Sequence, residues 1–234
     1  VKNVWGPVDI LINNAGFAYR SVLEHVEEPE LLQQMMTNFW GPMELIRLVL
    51  PEMRSHRRGR IINISSVGGM MAMPTMGIYS ASKFALEGAI EALYYEVKPW
   101  NIHVSLIEPG FIKSDGFSKV KYTTLSGSSM RDPSEAYFGH YRFMTQFIEG
   151  LMKKAPGNLA SITKKIVRTM EAKNPPLRVL GTPDAYLFDL LRRLLPRSLY
   201  HWALYQGLPY PDCWGDESRL RDRCKMKRTP MLSP

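Results

Sequence analysis

The chain has 234 residues, of which 45% are hydrophobic, with a formal net charge of +8 and two cysteines. This length and composition predict one soluble globular domain with a hydrophobic core. No segment approaches the roughly 18 consecutive apolar residues of a membrane-spanning helix, and two cysteines are too few for a disulfide framework. No secretory signal pattern opens the sequence. We therefore expect a protein of the reducing cytoplasm.

The positions of the basic, histidine and cysteine residues do not match those of nucleic-acid-binding or metal-binding motifs. Basic residues cluster at 56–60 and at 219–228, but no aromatic residues are interleaved with them as in nucleic-acid-binding motifs. We expect solvated surface charge there and no nucleic-acid partner. The five histidines are scattered, and the spacing of Cys213 and Cys224 fits no metal motif. The sequence therefore predicts no metal site.

Short buried strands alternate with helical segments along the chain. Four segments read as strands: 9–13, 60–65, 102–107 and 177–180. Alternation with helices predicts a parallel sheet with helices on both faces, and ligands bind beyond the carboxyl ends of such strands. Asn14, Ser66 and the Pro109–Gly110 pair fall at those ends, so the sequence predicts a site there.

The segment 78–97 predicts a helix with Tyr79 and Lys83 on one face. Apolar residues recur at helical spacing, and residues four apart share a side of the helix. A free tyrosine has a pKa of about 10, too high for efficient proton transfer at neutral pH, and a nearby ammonium lowers it. The pair is a candidate general acid and base. Taken alone, a core aromatic beside a solvated lysine is the commoner explanation.

The C-terminal part contains an amphipathic stretch and a polar end. Residues 184–205 combine Leu, Trp and Tyr with arginines, and Pro196 predicts two short helices rather than one. Their apolar side could rest on a membrane surface, but packing in the core or between subunits is the favoured interpretation. From Tyr210 no periodicity persists, so residues 210–234 predict a basic flexible tail.

Five motifs occur in a fixed order between Val8 and about Ser114: Asn13-Asn14-Ala15-Gly16, Asn38, Ser65-Ser66, the Tyr79/Lys83 pair, and Pro109-Gly110-Phe111-Ile112-Lys113-Ser114. In this order and spacing they resemble the short-chain dehydrogenase/reductase family. The resemblance implies an α/β fold with a Rossmann-like, doubly wound parallel sheet. It also implies reversible hydride transfer between NAD or NADP and a carbonyl or alcohol carbon.

The resemblance implies catalytic roles for four residues. Tyr79 would be the acid/base, and Lys83 would lower the pKa of Tyr79 and bind the nicotinamide ribose. Ser66, thirteen residues before the tyrosine, would hold the substrate oxygen. Asn38 would hold a water that links Lys83 to solvent. Ser65 is expected only to satisfy backbone groups.

The family's cofactor-binding positions are also present. Asn13, Asn14, Ala15 and Gly16 match residues on the adenosine side, and Tyr79 and Lys83 serve the nicotinamide end. The segment that holds the nicotinamide is matched by Pro109, Gly110, Ile112 and Ser114, where Ser114 replaces the usual threonine but keeps its hydroxyl. We therefore expect NAD or NADP as the cofactor, with the choice between them open.

In the family, the region at about 111–157 folds over the substrate as a lid. Its helical part is rich in aromatic residues and methionine, which suit an apolar alcohol or ketone such as a steroid, retinoid or fatty-acyl compound. Ordinary helix packing explains the same residues equally well. The expected organisation is a single domain over 1–209 that forms a homo-oligomer.

The family's glycine-rich phosphate-binding turn has no counterpart in the sequence. No GxxxGxG occurs, and residues 5–9 already lead into the first predicted strand. We therefore expect an N-terminally truncated version of the fold, with that strand at an apolar edge. The alternative is an inactive fragment or scaffold that binds no cofactor.

Overall fold

A computed structural model describes residues 6–113, 120–216 and 219. The strands are, in chain order, β1 (Ile10–Asn13), β2 (Tyr19–Arg20), β3 (Gly59–Ile64), β4 (Ile102–Glu108), β5 (Ile112–Lys113), β6 (Lys121–Tyr122), β7 (Gly157–Asn158) and β8 (Arg178–Leu180). The α-helices are α1 (Glu28–Met35), α2 (Gly41–Ser55), α3 (Gly77–Val97), α4 (Thr124–Ser129), α5 (Phe138–Lys153), α6 (Leu159–Glu171), α7 (Pro183–Leu194) and α8 (Arg197–Gln206).

The central sheet has four parallel strands in the order β1-β3-β4-β8. All four were predicted, and each strand end lies within one residue of its predicted position. Two small parallel pairs, β2 with β6 and β5 with β7, lie outside this sheet. The predicted α/β class with a parallel sheet is therefore confirmed.

Alternating strand residues build a separate core on each face of the sheet. Ile61 of β3 packs into a cluster with Ile46 of α2 and Ile90 of α3. Its neighbour Ile62 packs on the other face against Ile162 of α6. Successive side chains of a strand point to opposite faces, so both faces need helices to cover them. This is the doubly wound arrangement.

Strand β1 is an edge strand within the described residues. It pairs with β3 on one side, and Ile10 and Ile12 remain 37% and 39% exposed. Neighbouring central strands are buried on both faces, as parallel strands usually are. The predicted apolar edge is therefore present.

The C-terminal region differs partly from its prediction. Two helices, α7 and α8, flank Pro196 as predicted, and no helix in the described ranges is long and apolar enough to cross a bilayer. The flexible tail predicted from Tyr210 is wrong for residues 210–216. There, buried Cys213 packs against Phe138 and Phe143, an apolar contact that sequence periodicity does not reveal. The rest of that tail, apart from Arg219, lies outside the described residues.

Candidate active site

The ends of β3 and β4 lie side by side and bring the predicted site residues together. Backbone hydrogen bonds join Ser65 N to Ile107 O and Val67 N to Pro109 O, both at 2.8 Å. Ser66 thus lies at the carboxyl edge of the sheet, facing the first turn of α3. The predicted convergence of polar residues at this edge is observed.

The side chains of Ser66 and Tyr79 lie next to each other, and the Ser66 hydroxyl acts to lower the pKa of Tyr79. The Ser66 hydroxyl also accepts the Gly68 backbone N–H at 3.1 Å, which caps the 3-10 turn over Val67–Gly69. A Cβ atom on Gly68 would lie 2.8 Å from Cε1 of the Tyr79 ring. Glycine therefore lets this turn lie directly against the tyrosine.

Burial raises the pKa of Tyr79 above its ordinary value. The Ser66 hydroxyl lowers this pKa and the charge of Glu87 raises it, but burial is the largest cause. The expectation that Lys83 lowers this pKa is wrong for this structure. The Lys83 ammonium lies 6.0 Å from the centre of the Tyr79 ring and donates instead to the Ile64 carbonyl at 2.8 Å.

Lys83 is a buried ammonium, with only 5% of its surface exposed. Burial lowers the pKa of Lys83 to about 8, although the negative charge of Glu87 opposes this shift. Glu87 lies one turn further along the same helix. A group with this pKa can both hold and release a proton near neutral pH.

Asn38 lies in a π-helical turn, Met36–Trp40, between α1 and α2. Its buried amide donates to Phe17 O and to Ser82 Oγ, both at 3.0 Å, and its Oδ1 accepts Phe17 N at 3.2 Å. These contacts tie the segment after β1 to α3. They explain an asparagine inside a helical segment, and π-turns of this kind are frequent at functional sites.

The backbone of Gly16 lies close to the side chains of Asn38 and Lys83. A Cβ atom on Gly16 would lie 3.3 Å from Asn38 Oδ1 and 3.7 Å from Lys83 Nζ. Gly16 and the preceding Asn14 and Ala15 are exposed. This open strand end, with a buried ammonium and an amide next to a bare backbone, fits a polar ligand such as a ribose.

Asn13 and Asn63 face each other across β1 and β3 at this edge. Asn13 Nδ2 donates to Asn63 Oδ1 at 2.8 Å. Among the described residues, the buried Oδ1 of Asn13 and Nδ2 of Asn63 have no hydrogen-bond partner. Buried polar atoms are normally paired, so these two atoms are available to a ligand or a water.

The segment after β4 is held by the start of α7. Gly110 N donates to Thr182 Oγ1 at 2.8 Å, and Phe111 N donates to Asp184 Oδ2 at 2.7 Å. Ile112 then pairs with Gly157 in the β5–β7 ladder. Sequence reasoning missed Thr182 and Asp184, although Thr-Pro-Asp is a recognisable helix start. Ser114 lies outside the described residues.

A buried acidic cluster behind the site was not predicted. Glu87 Oε1 accepts the Ser65 hydroxyl at 2.6 Å, and Glu87 Oε2 accepts Arg178 Nη1 at 2.8 Å. Arg178 also pairs with Glu108 and, at 2.9 Å, with Glu91. The expectation that Ser65 only satisfies backbone is therefore wrong. The spacing of Glu87, four residues after Lys83, was the available signal.

This cluster holds more carboxylates than its single guanidinium balances. Burial and the charge of Glu87 raise the pKa of Glu108 to about 7, while Arg178 opposes the shift. A second buried carboxylate close by disfavours ionisation of the first. Glu108 therefore titrates near neutral pH at the end of β4.

Tyr79 and Ser66 lie in the wall of a mainly apolar pocket. Its other lining side chains include Ala18, Arg20, Val67, Met71, Met73, Met76, Phe111, Val120, Ile148 and Met152. Ile148 and Met152 come from α5, within the region predicted as a lid. Phe138, Tyr141 and Met144 of the same helix are buried in packing contacts instead. Different residues of that helix thus line the pocket and pack in the core, and a role as a substrate lid stays a prediction.

A doubly wound sheet with serine, tyrosine and lysine at its carboxyl edge is the architecture of an oxidoreductase. The family model described as short chain dehydrogenase matches residues 1–124. The chain belongs to the short-chain dehydrogenase/reductase family, and it is an enzyme of that oxidoreductase class by this relationship.

Three similar proteins illustrate the relationship. The 3-ketodihydrosphingosine reductase of Bacteroides thetaiotaomicron is 40% identical over 202 residues, which cover 85% of this chain and 72% of that protein. Retinol dehydrogenase 8 of Homo sapiens is 32% identical over 176 residues, covering 75% of this chain and 56% of that protein. The solved structure of a short-chain dehydrogenase from Streptomyces avermitilis is 30% identical with a TM-score of 0.69, and the match covers 88% and 73% of the two chains.

Proposed function

We propose that the protein catalyses reversible hydride transfer between NAD or NADP and a carbonyl or alcohol carbon of an apolar substrate. One observation carries this proposal: Ser66 and Tyr79 lie together in the wall of an apolar pocket, with buried Lys83 one helical turn away. Membership of the oxidoreductase family supports the reaction class.

Tyr79 is the proposed acid/base, and Ser66 the residue that orients the substrate oxygen. Because its pKa is raised, Tyr79 is protonated at neutral pH, the form that donates a proton to a carbonyl oxygen. Both Ser66 and Tyr79 line the pocket, so a substrate oxygen beside them can contact both hydroxyls. A carbonyl oxygen can accept a hydrogen bond from both hydroxyls, and an alcohol oxygen can accept from one and donate to the other.

Lys83 and Asn38 complete the proposed site. The Lys83 ammonium faces the Gly16 backbone, where it can bond a ribose hydroxyl and pass on a proton. Its pKa of about 8 allows both protonation states near neutral pH. Asn38 is the proposed holder of a water that connects Lys83 to solvent, on the segment it already ties to α3.

The proposed cofactor, NAD or NADP, supplies the hydride donor or acceptor. The residues proposed to hold it lie at the ends of β1 and β4: Asn13, Asn14, Ala15, Gly16, Pro109, Gly110, Ile112 and, outside the described residues, Ser114. Two observations support this assignment: Gly16 lies beside Asn38 and Lys83, and among the described residues Asn13 Oδ1 has no hydrogen-bond partner.

The proposed substrate is a long or bulky apolar alcohol or ketone. Methionine side chains, which adapt to irregular apolar ligands, supply much of the pocket wall. Two relatives are named for 3-ketodihydrosphingosine and retinol, which are compounds of this type. We also propose a homo-oligomer, supported by the exposed Trp40, Leu45 and Leu48 beside and on α2.

The test is oxidation or reduction of the nicotinamide, followed at 340 nm with saturating NADH or NADPH. Ketosphingoid, retinoid and steroid ketones are compared with short polar ketones of the same reactivity. Turnover of the long apolar ketones and not of the short ones supports the proposal. Absence of turnover with every ketone and both cofactors would favour the alternative, a scaffold without activity.

A further inference from the structure

We propose that α7 and α8 form a docking surface for an anionic phospholipid bilayer, adjoining the apolar pocket. Seven apolar or aromatic side chains on these helices, here called the α7–α8 stripe, are between 44% and 70% exposed: Tyr186, Leu187, Leu190, Leu194, Leu199, Trp202 and Tyr205. This inference goes beyond the proposed reaction, because it concerns where the enzyme works.

Both helices are apolar on two opposite sides. On α8, Tyr200 is buried and Leu204 packs against the protein, while Leu199, Trp202 and Tyr205 are exposed. At about 100° per residue, Trp202 lies about 160° from both packed residues, and Leu199 and Tyr205 lie about 100–140° from them, one on each side of Trp202. The inner side packs in the core, whereas about half of the surface of each outer side chain is exposed.

The same pattern holds for α7. Ala185 and Phe188 pack inward, and Leu187, Leu190 and Leu194 lie on the opposite side at helical spacing. A surface helix normally exposes its polar face and buries a single apolar stripe. Two consecutive helices that break this rule in the same way indicate an apolar contact with something other than the described residues.

The inner side of the two helices contacts the wall of the pocket. Ala185, Phe188 and Leu204 pack on the cluster of Val67, Met70 and Met71. Val67 and Met71 also line the pocket beside Tyr79. The stripe therefore lies about one helix diameter, roughly 10 Å, from the pocket wall. A substrate dissolved in a bilayer would travel only a short distance to reach the pocket.

Positive charge gathers where the two helices meet. Arg192 is held by the Met70 carbonyl at 2.8 Å, and Arg193 pairs with Asp189. In the part of the chain that the structure describes, Arg197 forms no ion pair with a carboxylate. The sequence then continues with the basic run at 219–228. Arginine beside exposed leucine and tryptophan suits anionic headgroups above an acyl layer.

A bilayer suits this surface better than a second copy of the chain. In a two-fold symmetric contact the same patch meets itself, so two arginine clusters would be buried in one interface. Anionic headgroups neutralise those charges instead. Trp202 and Tyr205 add the residue types that favour the boundary between headgroups and acyl chains.

The test is flotation of the purified protein with phosphatidylcholine vesicles, with and without phosphatidylserine. We expect binding that depends on phosphatidylserine and is weakened at least about tenfold in Leu190→Gln/Trp202→Gln. The matched control is Tyr95→Gln/Leu159→Gln, which removes an aromatic and a leucine of similar exposure elsewhere. Circular dichroism checks that both variants are folded.

Two results would overturn the proposal. One is a wild-type protein that does not float with phosphatidylserine vesicles. The other is a Leu190→Gln/Trp202→Gln protein that floats as well as the wild type. If that variant instead turns a dimer into a monomer by light scattering and vesicle binding is absent throughout, the stripe is a subunit interface. The assay uses neither cofactor nor substrate, so its failure is distinct from failure of the proposed function.

Discussion

The buried carboxylate of Glu87 lies one helical turn beyond Lys83 and counteracts the burial that lowers the pKa of that lysine. Glu87 is itself held by the Ser65 hydroxyl and by Arg178. The carboxylate that influences the Lys83 ammonium is thus held in place by the residue that follows β3 and by a residue of β8. This relationship makes the protonation of the site sensitive to a residue outside the pocket.

Glu87→Gln should therefore lower the pKa of Lys83 further below about 8, because the negative charge that raises it is removed. Because Lys83 then loses its proton at a lower pH, the fall of kcat/KM on the basic side of the profile should also occur at a lower pH. The measurement is kcat/KM against pH at saturating cofactor. Glu91→Gln is the control, since Glu91 also pairs with Arg178 but is half-exposed. Equal profiles for Glu87→Gln and wild type would contradict this account.

Tyr79→Phe removes the single hydroxyl at the proposed proton-transfer point. We expect kcat to fall about 10²–10⁴-fold while the dissociation constant of the cofactor changes little. Steady-state kinetics and cofactor titration by fluorescence measure the two effects. Tyr95→Phe, on the exposed side of the same helix, is the control. Near-wild-type turnover in Tyr79→Phe would exclude the mechanism.

Gly68→Ala tests the close approach of the Val67–Gly69 turn to the tyrosine. Its new Cβ would lie 2.8 Å from Tyr79 Cε1, so the ring or the turn must move. A displacement of this kind can cost about 10²-fold in kcat. Gly88→Ala is the control, because its Cβ meets nothing within 4 Å and the helix should gain about 0.5–1 kcal/mol. Unchanged kcat in Gly68→Ala would show that the turn adapts freely.

Glu108 should make the protein less stable as the pH rises towards 7. The folded protein holds this proton with a pKa of about 7, against an ordinary value of 4.5. Protonated Glu108 therefore adds up to about 3 kcal/mol to the free energy of unfolding. This contribution is fully present below about pH 4.5 and is lost by about pH 7.

Urea unfolding at several pH values between these limits measures this effect. Glu108→Gln should flatten the decline in the free energy of unfolding, whereas the exposed control Glu96→Gln should keep it. A decline of the same slope in Glu108→Gln would assign the effect to another group.

A polypeptide of residues 1–234 should bind NADH and NADPH weakly. Its sequence contains no glycine-rich turn into a helix, whose backbone N–H groups and dipole normally bind the pyrophosphate. The residues proposed to contact the cofactor, such as Gly16 and Lys83, contact its sugar and nicotinamide and not its pyrophosphate. Calorimetry decides the question. Saturable binding at micromolar cofactor would reveal a phosphate clamp elsewhere in these residues.

The sequence by itself predicted the sheet, its four strands and the edge at which the site forms. These depend on local periodicity and on motifs that follow one another at short range, such as Ser66, Tyr79 and Lys83. Each of these signals lies within one element or at its end. That is why strand limits are correct to within one residue.

The protonation states of the site residues depend on tertiary contacts that the sequence does not show. Glu87, Glu108 and Arg178 come from α3, β4 and β8, and only folding brings them together. Burial is the largest influence on the pKa of Tyr79 and outweighs the opposing effect of the Ser66 hydroxyl. Sequence spacing gives the neighbours along a helix, but it contains neither burial nor the contacts made across the sheet.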